Sequence, residues 1–253
     1  MQVDPSGNRR VFCGQIHLDI NIKYMNFAPR ILYSIGIRCY TEIILKRLNL
    51  RKMSSIFGSM NMKNSDNLIE SIKNPDVLFN ESNLVFTRNI KSMEEENKIH
   101  GFRTLHRKFD DINGYHTSTF AHHDLSQESV KNHFKRGIVR LHKIKKHNIP
   151  ILFIQISHES EYNNSKQNDN LFKSFKESGF TNYSLIQIYL HESSSNNLFS
   201  KEANVVNENY IIYNLKIDCK YGEEKYDKDV ETILKKHFNL SNLISKDEID
   251  NLT

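Results

Sequence analysis

Long apolar runs are missing from this chain. None approaches the roughly 18 residues that a membrane-spanning helix requires, so no membrane partner is expected. The opening MQVDPSGNRRVFCGQIHLD lacks the uninterrupted apolar core of a secretory signal, which places the chain in the cytoplasm as an expectation. Cysteines number three, Cys13, Cys39 and Cys219, an odd and widely spaced set. That pattern excludes a disulfide framework and a CxxC zinc site, and it fits free thiols in a reducing compartment. Neither GxxxxGK[ST] nor GxGxxG occurs, so nucleotide binding has no motif behind it and no cofactor is expected. Tryptophan is absent, and the richness in Asn, Lys and Ile carries no functional information. The net charge of +5 describes a mildly basic protein, not a polybasic one, and nucleic acid is not the expected partner.

What is present reads as one α/β domain. Ile31 to Ile35 is a short β-prone run followed by Gly36, and from Tyr40 the period changes to a helical one. Tyr40, Ile43, Ile44 and Leu48 share a helix face, with Glu42, Lys46 and Arg47 expected to turn away. A short helix carrying Leu68, Ile69 and Ile72 follows a Ser- and Asn-rich loop and ends at Pro75. Leu84 to Thr87 and Phe102 to Leu105 are candidate short strands, with Lys91 to Lys98 read as a charged connection. The clearest periodicity runs from Ser126 to His147, where Val130, Phe134, Ile138, Leu141 and Ile144 make one apolar face.

Beyond Pro150, Ile151 to Ser157 is a β-branched run of the buried-strand type. A polar loop, a helix from Leu171 to Ser178 stopped by Gly179, a strand from Tyr183 to Leu190, another loop, a strand from Tyr210 to Ile217 and a helix from Val230 to Phe238 follow. This rhythm predicts an open, partly parallel sheet flanked by helices in a single domain. Residues 1–28 read as an N-terminal extension, 29–240 as the α/β domain, and 241–253 as a polar tail expected to fray.

Ligands of open α/β sheets gather at the carboxyl ends of strands, and Cys39 follows one such end. Unpaired amides and the positive dipole end of a helix start favour a thiolate there, although a small buried hydrophobe is the plainer role for a cysteine. A thiol nucleophile needs a base, and the tandem His122-His123-Asp124 is the most distinctive histidine cluster. Asp124 with Gln127, or Ser126, also fits a cap for the following helix. A metal reading of His116, His122, His123 and Asp124 has no HExxH spacing or paired cysteine behind it. The helix from Lys131 to Lys146 carries seven Lys and Arg residues, which suit a solvated face better than a phosphate-binding one.

The order of these features resembles a known family. Ser34-Ile35-Gly36, then Cys39, then a helix ending in Leu45-Lys46-Arg47-Leu48-Asn49-Leu50-Arg51-Lys52, is similar to the SLGSNC, helix and LGLR block of the papain-like cysteine peptidase family of uncharacterised proteins. Phe120 with His122, His123 and Asp124, then Lys135, Arg136 and Arg140, then Ile151 to Ile154, follow in that family's order. The resemblance implies Cys39 as nucleophile and His123, directly before Asp124, as base, acting on an acyl or peptide substrate, with Asp124 as a further catalytic residue. Arg38 is a candidate for holding an anionic substrate, and His122 joins it as a substrate-binding residue. The chain departs from the family at Ser55-Ile56-Phe57-Gly58, where the family has PFDW, and at Ile37-Arg38, where it has Ser-Asn. A binding module that keeps the fold without the chemistry, or an SGNH-like or transferase-like α/β enzyme, would occupy the same strand-end location.

Overall fold

The computed structural model describes residues 27–36, 39–62, 64–110, 119–158, 165–192, 201–217 and 224–253. Five strands form the main sheet: β1 (Ile31–Ile35), β4 (Ile151–His158), β5 (Tyr183–Glu192), β6 (Lys201–Asn207) and β7 (Tyr210–Ile217), in the order β1-β4-β5-β7-β6. β1, β4, β5 and β7 run parallel, and β6 pairs antiparallel with β7 at the far edge. A separate antiparallel pair joins β2 (Leu84–Phe86) to β3 (Thr104–His106). Seven helices complete the described residues: α1 (Tyr40–Arg47), α2 (Ser65–Lys73), α3 (Glu94–His100), α4 (Glu128–Lys146), α5 (Ser165–Glu177), α6 (Glu224–His237) and α7 (Lys246–Asp250).

The alternation of the strands sorts their side chains into two cores. Tyr33, Phe153, Leu185, Tyr189 and Tyr210 face one way, into a core shared with Phe134, Ile138 and Leu141 of α4 and Leu171 and Phe175 of α5. Leu32, Ile154, Ile186, Ile188 and Ile211 face the other way, against Ile44 and Leu45 of α1 and Val230, Ile233 and Leu234 of α6. With helices on both faces, every central strand is buried twice, which is why Ile151 to Ile154 is an unbroken apolar run. The architecture is the open, mostly parallel α/β sheet that the element rhythm predicts.

Four local expectations change. Lys91 to Lys98 is not a bare connection: a single turn at Lys91–Met93 leads into α3, whose first turn holds Glu94, Glu95 and Glu96 where the helix dipole favours acids. α5 starts at Ser165, inside the stretch read as a polar loop, because Asn168 is drawn into a buried polar network. β6 also lies where a loop was expected. Its residues Asn204 to Asn207 are exposed, so an edge strand here carries no apolar alternation to announce it. The tail is docked, not frayed: Ile244 and Ile249 are buried, and the bidentate Arg140–Asp250 ion pair ties α7 to α4. A proposed edge strand over Ile16 to Ile22 lies outside the described residues.

Candidate active site

Thr41 sets the position of α1. Its Oγ1 accepts a hydrogen bond from the Ile156 amide at 2.9 Å and lies 3.3 Å from the Ile35 carbonyl, to which it donates. The first turn of α1 is thereby pinned across the carboxyl ends of β1 and β4, the end of an open parallel sheet where ligands bind. Cys39 is the N-cap of this helix, with φ −72° and ψ 5°, and its carbonyl accepts the Ile43 amide at 3.1 Å. The thiol is free and partly exposed, with no side-chain cap bond of its own. Cys13, Cys219 and Arg38 lie outside the described residues.

The buried side of α1 is not the face that its apolar residues suggest. Thr41, Glu42, Ile44 and Leu45 are buried, whereas Ile43 is exposed. Glu42, expected to face solvent, is only 6% exposed. It turns toward the open edge of β1, where Ser34 donates to one carboxylate oxygen and Arg51 Nη1 donates to the other at 2.9 Å. Burial pushes the Glu42 carboxyl above its ordinary range, against the lowering effect of the hydrogen bonds from Ser34 and Arg51, of the Ser55 backbone and of the Arg51 charge.

The segment from Met53 to Met60 closes this edge. An edge strand offers unpaired backbone groups, and here side chains take them up. Ser55 Oγ donates to the Ser34 carbonyl at 2.5 Å and accepts the Gly58 amide at 3.1 Å, and the Ile56 amide donates to Tyr33 Oη at 3.2 Å. Gly58 is required by close approach: a Cβ there would lie 1.9 Å from Ser34 Oγ and 3.1 Å from Glu42 Oε2. On the other side, Ile56 fills the space left by Gly137 of α4, where a Cβ would meet Ile56 Cγ2 at 2.4 Å.

His123 sits beyond this segment. Its ring packs edge-on against Phe134 at 5.0 Å, with the Ser59 backbone nearby. Burial holds the imidazole below its ordinary value, helped by the neighbouring charges of His122 and His133 and opposed by the Ser59 backbone. His123 is therefore neutral near pH 7. His122 is exposed.

Asp124 does not address the imidazole. Its carboxylate is taken by Arg88, by Ser126 Oγ at 2.6 Å and by the Ser126 amide at 3.1 Å. Burial acts to raise this carboxyl, but the Ser126 bonds and the Arg88 cation outweigh it and hold it below the usual carboxylate range. The N-cap of α4 is Gln127, so Asp124 shapes the turn before the helix.

Among the described residues, no hydrogen bond joins the Cys39 sulfur to an imidazole, and no three His, Cys, Asp or Glu side chains converge as metal ligands would. His116 lies outside them. Glu42, Arg51, Ser55 and Gly58 are the residues that sequence reasoning missed. A carboxylate three positions after the cysteine, on the same helix side, was the available signal for Glu42.

A family model with the description "Putative papain-like cysteine peptidase (DUF1796)" matches residues 30–213. No curated protein and no solved structure matches the chain.

Proposed function

The chain belongs to that family of papain-like cysteine peptidases, and on this premise we propose that it is a thiol hydrolase of acyl substrates, amide or ester, with Cys39 as nucleophile and His123 as base. One observation carries the reading: a partly exposed, uncommitted thiol sits at the N-cap position of a helix pinned at the carboxyl ends of two parallel strands. In the proposed reaction His123 takes the thiol proton as sulfur bonds to the acyl carbon. It returns the proton to the leaving amine or alcohol as that bond breaks, and water then hydrolyses the thioester.

The positive end of the α1 dipole, at its first turn, stabilises the developing oxyanion. A neutral imidazole near pH 7 suits a general base. Asp124 contributes by holding the turn that presents His123, and Arg38 and His122 bind the substrate. An electrophilic acyloxymethyl ketone probe, with the labelled residue mapped by peptide mass spectrometry, tests this. Labelling is expected at Cys39 in the wild type, and it disappears in Cys39→Ala and falls steeply in His123→Ala. An intact protein that the probe never labels at Cys39 would point to the binding module instead.

A further inference from the structure

Three separate pieces of the chain meet at Glu42, two of them by hydrogen bonds to its carboxylate. Ser34 belongs to β1, Arg51 to the turn after α1, and Ser55, through its backbone, to the segment that closes the β1 edge. The last of these continues outward: Ser59 Oγ donates to the Ser55 carbonyl at 3.0 Å, and the Asn61 amide donates to the Thr119 carbonyl at 2.9 Å, at the start of the turn that carries His123. A continuous path therefore runs from the helix that begins at Cys39, through Glu42, to the turn that carries His123. Gly58 allows the path to close, since any side chain there would overlap Ser34 Oγ and crowd Glu42 Oε2.

A leucine at position 42 could fill a buried site on α1 without removing a charge from water, which is costly even for a paired carboxylate. What the carboxylate supplies is register: a slip or rotation of α1 by one residue breaks both bonds together. We propose that Glu42 is the positioning residue of the Cys39 and His123 pair, fixing the start of α1 against the segment that adjoins the imidazole. This rests on the reading of Cys39 and His123 as nucleophile and base.

The test uses Glu42→Gln, nearly isosteric, and Arg51→Met, which loosens the same link from a side chain that is 28% exposed. Three quantities are measured: the cooperative thermal melt, the His123 titration followed by NMR of 13C-labelled histidine, and the rate of probe labelling at Cys39 against pH. In folded Glu42→Gln, labelling is expected to fall about 10- to 100-fold, since a displacement near 1 Å is enough for such a loss. The His123 titration moves up toward the ordinary imidazole value as the ring loosens into water.

Should Glu42→Gln fail to melt cooperatively, Arg51→Met supplies the same two readouts, with Arg51→Lys restoring part of the rate. A folded variant with both readouts unchanged overturns the positioning role. His123→Ala separates the two levels. If it labels as fast as the wild type, the nucleophile and base reading fails. If it is slow while Glu42→Gln and Arg51→Met match the wild type, only the positioning role fails.

Discussion

At the scale of single residues, space decides more than hydrophobicity around Cys39. Gly58 has room for a hydrogen and nothing larger, with Ser34 Oγ and the Glu42 carboxylate on that side. Gly58→Ala is therefore expected to destabilise the protein by about 1–3 kcal/mol, the range for overpacking a filled site. A lower urea midpoint with unchanged slope would register this, and a variant as stable as the wild type would show that the neighbourhood yields. Cys39 at a strand-to-helix turn was legible from the change of period at Tyr40. Glu42 was not, because a helical wheel weighs one direction of burial and α1 has two: the sheet under Ile44 and Leu45, and the β1 edge under Glu42. Asp124 reads from its spacing to Gln127 as a helix cap, but the cap position falls to Gln127 and Asp124 holds the turn before it through Ser126. Arg88, thirty-six positions earlier, could not be foreseen as its partner.

At the scale of elements, the strong periodicities and the buried strands could be read, and the elements held by polar contacts could not. α4 shows its apolar face over five turns, while β6 and α7 depend on what they lie against. α7 is five residues long, too short to persist alone, yet it has a complete capping box between Ser245 and Glu248 and buries Ile249. Ile249→Ala is expected to cost about 2–5 kcal/mol in chemical denaturation, as for other fully buried isoleucines. Asp250→Asn, which weakens only the more exposed ion pair with Arg140, should cost less. Equal and negligible effects would mean that the tail contributes nothing to the fold.

At the scale of the whole molecule, pH acts through several histidines at once. His106, His123, His133 and His237 are all held below the ordinary imidazole value, burial being the largest cause in each. His237 is the starkest case, 2% exposed with neither ring nitrogen hydrogen-bonded among the described residues, beside Tyr213 and Phe238. Below about pH 6.5 the unfolded chain takes up protons that the folded chain refuses, so stability falls as pH drops from about 7.5 to 6. Glu42, with its raised carboxyl, acts in the opposite sense toward the acid end. Urea denaturation across that interval should show the decline, and His237→Leu should flatten it; a steeper decline in the variant would contradict this.

The sheet itself was legible as open and partly parallel because βα rhythm and doubly buried strands leave a marked pattern. The strand order and the wrapping of residues 53–60 around β1 are long-range choices that no local pattern records. Chemistry at Cys39 is the claim on which the functional reading stands. Its most direct measurement is the rate of iodoacetamide alkylation at Cys39, quantified by peptide mapping across pH, in the folded wild type and in His123→Ala. The expected result is fast alkylation near neutral pH that depends on His123 and slows at least about tenfold when the imidazole is removed. Identical profiles for the two proteins would contradict it.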